Sequence, residues 1–179
     1  MGMRATYRRL PNEEFQKLRA NPDHADAYFG QDIDDDEDES LDAYVHGRET
    51  SGRYLDIQKA FHGLYFLLTG DAEMKAEVIS TPLGKAVEGG TNTEWEATYG
   101  MVRYLTPQEV KEVATALEQM SEAELRERYN PKAFEFEHIY PSEIWTATAI
   151  DGLLDVFRQV RGFFVEAARA GDVVLLSCD

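Results

Sequence analysis

The 179-residue chain is 43% hydrophobic, which is enough for one full core, and nothing in its composition asks for a second domain. Its formal net charge of −16 excludes nucleic acid as an expected partner, because binding a phosphate backbone rests on neutralising it with Lys and Arg. One cysteine, Cys178, excludes an internal disulfide and a multi-cysteine zinc site; with no apolar signal core and no uncharged apolar run of spanning length, the expectation is a cytoplasmic protein without a membrane partner.

Taken in chain order, Met1–Leu10 reads as a strand carrying Arg4, Arg8 and Arg9 near its ends. Gly2 with Thr6 matches a short acylation pattern, too common to carry weight alone. Pro11–Ala20 reads as a helix, with Glu13 and Glu14 near the positive end of its dipole, Lys17 and Arg19 near the negative end, and Phe15 and Leu18 facing a core. Residues 21–50 then hold eleven acidic side chains against one basic, and seven acids fall in Asp32–Glu39. The expectation over about 30–52 is a flexible, self-repelling acidic loop. An EF-hand reading fails there: its sixth position is Glu37 where Gly is needed, and its twelfth is Ala43 where a bidentate Glu belongs.

The segment Asp56–Gly70, DIQKAFHGLYFLLTG, predicts a central helix with Asp56 as its cap and Gly70 as its stop. Ile57, Ala60, Phe61, Leu64, Leu67 and Leu68 form one apolar face at helical spacing, and His62, Tyr65, Phe66 and Thr69 a second stripe. Gly63 in the helix interior implies close approach of another backbone.

Beyond it, Asp71–Val78 predicts a short helical piece and Thr81–Val87 a Thr-capped turn of helix stopped by Gly89-Gly90. Polar residues Thr91–Glu96 lead into Thr98–Leu105, a predicted strand with Tyr99, Met101, Arg103 and Leu105 on one face. Thr106 with Glu109 and Ser121 with Glu124 are capping boxes, each opening a helix. Phe134–Pro141 fits either a strand or a helical turn. From 148 to 170 a long helix carries Ile150, Leu153, Leu154, Phe157, Val160, Phe164, Val165 and Ala168 on one stripe, with Arg161 lying within it and Gly171 as its stop. Val173–Leu176 fits a short strand buried on both faces. The fold class is therefore α+β: a single domain, a small mixed β-sheet and several helices, of which 56–70 and 148–170 are the main two.

The MGM opening, LDIQKAFHGLYFLLTG, PLGKAV, TYGMVRYLTPQEV, IYP followed by Trp145, and the closing VVLLSCD resemble the YfbM-like family, a bacterial domain of unknown function. The resemblance spans nearly the whole chain outside the acidic segment. It implies one α+β domain and no assigned reaction or ligand, and it accounts for Gly2 without acylation. The family pattern places Trp before the helix histidine and often a second histidine three residues after it. Phe61 and Tyr65 stand there in this chain, so the resemblance implies no H-x-x-H metal pair.

No nucleophile elbow, phosphate-binding loop, dinucleotide fingerprint, HExxH or CxxC is present, and neither a cofactor nor a metal is expected. His62 is the leading catalytic candidate, since an imidazole on an apolar helix can serve as acid, base or ligand; the competing reading is a hydrogen-bonded core histidine. Arg103 and Arg161 sit among apolar neighbours, where a guanidinium needs an anionic ligand or, more simply, one of the 34 acidic side chains. Tyr65, Tyr104, Tyr140 and Trp145, with Tyr99, are amphipathic aromatics of the kind that line clefts or fill a small core. Cys178 has no activating neighbour in sequence and reads as inert.

Two functional classes follow. The first is a non-catalytic binding or interaction module for a small molecule or a protein, working as monomer or homodimer. The alternative is an enzyme acting on a small polar or anionic substrate with His62 as acid or base. Convergence of His62 with a carboxylate or Arg in an open cleft favours the enzyme; a sealed His62 beside an exposed apolar patch favours the module.

Overall fold

Side chains of Ala5–Pro11 alternate between two apolar environments, and this alternation sets the layers of the molecule. The computed structural model describes residues 2–21 and 52–179, so the expected acidic loop at about 30–52 lies outside the described residues apart from Gly52. The strands are β1 (Ala5–Pro11), β2 (Tyr54–Asp56), β3 (Thr91–Glu96), β4 (Met101–Leu105) and β5 (Asp172–Cys178), in spatial order β2-β1-β5-β4-β3. The helices are α1 (Asn12–Ala20), α2 (Phe61–Thr69), α3 (Ala76–Ile79), α4 (Pro82–Lys85), α5 (Pro107–Gln119), α6 (Glu122–Arg128), α7 (Pro131–Phe136) and α8 (Ala149–Ala170). The architecture is α+β, as read from the sequence.

The sheet is antiparallel at each of its four pairings, which corrects the expectation of a mixed sheet. One helix between neighbouring strands makes a parallel crossover, but β4 and β5 are separated by two long helices, α5 and α8, and two passes return the chain in the opposite sense. β5 is buried at every position except Cys178 and lies between β1 and β4, as its unbroken apolar run implied. β2 and β3 were not legible as strands. In β3, TNTEWE, only Trp95 is buried, so the segment shows no alternation of apolar residues.

On one face of the sheet Tyr7, Leu105, Val174 and Leu176 pack with Leu64 and Leu67 of α2, Val113 and Leu117 of α5, and Leu154, Phe157 and Phe164 of α8. On the other face Leu10, Val102, Val173 and Leu175 pack with Phe15 of α1 and with Trp95. Burial on both faces is what holds α1 and α8 to opposite sides of one sheet.

The central helix, expected to start at Asp56, begins at Phe61. Asp56 closes β2, and its carboxylate accepts the Gln58 backbone N–H at 2.7 Å, opening a 3-10 turn over Gln58–Ala60 that runs into α2. Gly70 ends α2 in the left-handed region at φ 73, and Arg128 Nη1 donates to the Leu68 carbonyl at 3.1 Å. α8 occupies 149–170, as its apolar stripe predicted, with Gly171 at φ 72 turning the chain into β5. Both expected capping boxes are formed, Thr106 with Glu109 and Ser121 with Glu124.

Candidate functional site

α2 carries His62 to the segment that follows α7. There Tyr140 donates its backbone N–H to His62 Nδ1 at 3.0 Å, and His62 Nε2 lies 3.1 Å from the Ala72 carbonyl. Tyr140 N can only donate and a carbonyl can only accept, so Nδ1 is the acceptor and Nε2 carries the hydrogen. Both ring nitrogens are thereby joined to backbone groups, tying α2 to the loops on either side of it.

One turn further, Tyr65 is fully buried and its hydroxyl donates to Asp71 Oδ2 at 2.9 Å. Asp71 also accepts the backbone N–H groups of Lys75 at 2.7 Å and Glu73 at 3.1 Å. Burial works against the Asp71 carboxylate, but the Lys75 amide, the Tyr65 hydroxyl and the Glu73 amide together hold it below the usual carboxylate range. Burial, and then the bonded Asp71, push the Tyr65 phenol well above its ordinary value. Tyr65 is thus closed into the interior.

Gly63 lies under Trp145. A Cβ at Gly63 would fall 2.2 Å from Trp145 Cη2, so the close approach implied by this glycine is made by an indole and not by another backbone. The indole is fixed from two further sides: its Nε1 donates to the Ile139 carbonyl at 2.7 Å, and its ring stands 4.9 Å from that of Phe134. Tyr140 packs on Phe61 with ring centroids 5.7 Å apart, and a Cβ at Gly2 would meet its hydroxyl oxygen at 2.2 Å.

Two clefts flank Trp145. The first, about 370 Å³, runs between the Gln58–Ala60 turn, Pro141–Trp145 and the first half of α8; Ile57, Ile144, Trp145, Leu153 and Val156 make it mostly apolar. Ile144 stands 50% exposed at its edge. The second, about 360 Å³, is lined by the apolar Phe134, Ile139 and Trp145 together with the polar Glu135, His138, Ser142 and Glu143. Gln58, His138 and Glu143 line these clefts with φ of 52, 52 and 71, in the left-handed region that non-glycine residues seldom occupy. No group of three or more His, Cys, Asp or Glu arranged to hold a metal occurs among the described residues.

Of the residues singled out from sequence, His62, Tyr140 and Trp145 come together, with Tyr65 buried one turn beyond them. The others do not join them. Arg103 Nη1 donates to the Glu88 carbonyl and pairs with Glu88 Oε2 at 3.0 Å, the internal ion pair expected of it. Tyr104 lies 4.8 Å from Phe15 on the opposite face of the sheet, beneath the Arg19 guanidinium. Arg161 makes no ion pair among the described residues and instead lays its guanidinium over the Phe157 ring at 5.1 Å. Cys178 is half-buried, and burial pushes its thiol up. Sequence reasoning missed Lys59, Ile144 and the two glutamates lining the second cleft, Glu135 and Glu143; the one available signal was Ile144-Trp145, two large apolar residues in a stretch without periodicity.

The family model described as Domain of unknown function (DUF1877) matches residues 1–177. The chain belongs to this family. The DUF1877 chain is also similar to a solved structure, a protein of unknown function, YfbM from Escherichia coli: identity is 21%, 97% of this chain and 98% of that one are covered, and the TM-score is 0.67. At that identity the likeness shows a shared fold. No curated protein matches the chain. Within this DUF1877 chain, four segments that carry its YfbM-like resemblance meet at one place: Gly2 from the MGM opening, His62 and Gly63 from α2, Tyr140 from IYP, and Trp145.

Proposed function

We propose that this DUF1877 chain is a soluble, cytoplasmic, non-catalytic binding module whose ligand lies in the apolar groove beside Trp145. One observation carries the reading: His62 has both ring nitrogens engaged by backbone groups, and an open groove with a half-exposed Ile144 lies next to it. An imidazole so held has no free nitrogen to take a proton from a substrate or give one back, and this disfavours the alternative of an enzyme with His62 as acid or base. A groove of about 370 Å³ is of the size that takes a small ligand or the side chains of a short peptide, and exposed apolar surface of this kind is what a binding site offers. The single cysteine fits a reducing compartment, and no helix of the described residues is long and apolar enough to cross a membrane. With a net charge of −16, nucleic acid is not among the proposed partners; the module works as a monomer or homodimer.

A fragment screen followed by ¹H–¹⁵N NMR tests this. The expected result is a set of weak ligands that shift the Trp145 indole and the amides of Ile144 and Leu153, are lost in Ile144→Asp and are retained in His62→Gln. Absence of any shift at these positions, or loss of binding in a well-folded His62→Gln variant, overturns the reading.

A further inference from the structure

Among the described residues, the groove beside Trp145 has two charged residues in its lining, Asp56 and Lys59, and they are not in the same state. Asp56 is engaged: one carboxylate oxygen accepts the Gln58 N–H at 2.7 Å, and the other accepts Gln58 Nε2 at 2.7 Å and is ion-paired with Arg4. Lys59 makes no ion pair among the described residues, although the chain carries 34 acidic side chains. Among the described residues, the unpaired charge at the rim of the groove is therefore positive. A second donor stands beside Lys59, outside the lining of the groove itself. A Cβ on Gly2 would lie 3.1 Å from Lys59 Nζ and 2.2 Å from Tyr140 Oη, which puts the ammonium and the phenol hydroxyl against the same glycine, and that hydroxyl has no hydrogen-bond partner among the described residues.

We propose that the groove takes an amphipathic monocarboxylate, an inference that rests on the binding reading above. The apolar or aromatic body lies along Trp145, Ile144, Leu153 and Val156, and the carboxylate meets the Lys59 ammonium and the Tyr140 hydroxyl. Charge decides between head groups. A cationic head would find the Asp56 carboxylate already filled by Arg4 and Gln58 and would face Lys59 directly. A phosphate carries up to two negative charges and is matched by several cations or a row of backbone N–H groups, whereas among the described residues this rim offers one unpaired cation, on a chain of net charge −16. A single carboxylate is the anion that one ammonium and one hydroxyl complement. Gly2 has no side chain to stand between the two donors, which is a use for glycine at that position.

The test compares three ligands with one eight-carbon body: octanoate, octanol and octylamine, titrated at neutral pH into the wild type and into Lys59→Gln, read on the Trp145 indole and the Ile144 and Leu153 amides. Octanoate is expected to bind the wild type about tenfold more tightly than octanol, and that preference is expected to be lost in Lys59→Gln, whose melting temperature is unchanged. If octanoate and octanol bind the wild type equally at the groove, the binding module stands and the carboxylate assignment is overturned. Preference for octylamine overturns it as well. If none of the three shifts the groove, the carboxylate proposal falls, and the fragment screen described above separately decides the binding reading.

Discussion

The Trp145 indole occupies the space where a side chain of Gly63 would be: a Cβ there would lie 2.2 Å from Cη2 and 2.9 Å from Cζ2. Gly63→Ala tests this contact against helix propensity. Propensity alone favours Ala by about 1 kcal/mol in a helix interior. Displacing an indole that is also hydrogen-bonded to Ile139 and packed on Phe134 costs more, in the range of about 1–3 kcal/mol for overpacking. The expected net result in urea denaturation is destabilisation, accompanied by a shifted Trp145 indole resonance; a stabilised variant would mean the indole moves aside freely.

His62→Gln is expected to destabilise the protein by about 1–3 kcal/mol, because a glutamine amide cannot reproduce the geometry of both bonds and leaves the Tyr140 N–H or the Ala72 carbonyl poorly paired. Ligand binding in the neighbouring groove is expected to survive. Chemical denaturation together with the NMR titration measures both. A variant of unchanged stability that has lost binding would return His62 to a functional role.

Leu64 is fully buried on the apolar face of α2. Replacing it by Ala removes three heavy atoms from a packed interior and is expected to cost about 2–5 kcal/mol in chemical denaturation. A loss under about half a kcal/mol would be incompatible with the place of α2 in the core.

Asp71 gives an expected pH dependence whose sign follows from its depressed ionisation. A carboxylate held in the folded state below its unfolded value of about 3.9 binds fewer protons folded than unfolded, so its contribution is fully present above that value and is lost as pH falls through the folded pKa. Asp71→Asn is therefore expected to be less stable than wild type at neutral pH and to show a shallower loss of stability below about pH 4. Parallel acid limbs for the two proteins in urea melts at several pH values would contradict the arrangement of Asp71 with Tyr65, Lys75 and Glu73.

How much of this was legible in the sequence depended on how far apart the interacting groups lie along the chain. Thr106 with Glu109 and Ser121 with Glu124 are hydrogen-bonded pairs three residues apart, and Gly70 and Gly171 act within one turn of the helices they end, so these boundaries were written locally. The stripe of α8 was equally plain, because a helix of 22 residues repeats its apolar period several times. His62, expected inside the domain, is only partly buried, whereas the need for something to approach Gly63 followed from its place on an apolar helix. The identity of their partners did not. Tyr140 reaches His62 across 78 residues, and Trp145 reaches Gly63 from another part of the chain. Arg161 shows the same boundary from the other side: its apolar setting was readable, but whether an acid or the Phe157 ring would face it depended on packing. β2 and β3 form only because β1 and β4 offer them edges, and the antiparallel sense of β5 follows from two helical passes and not from any residue within it. What the sequence determined by itself was each element whose hydrogen bonds and apolar period close within a few turns. The groove and the two backbone partners of His62 were decided by tertiary structure, because each is a relation between segments that only the packed core brings within a few ångströms.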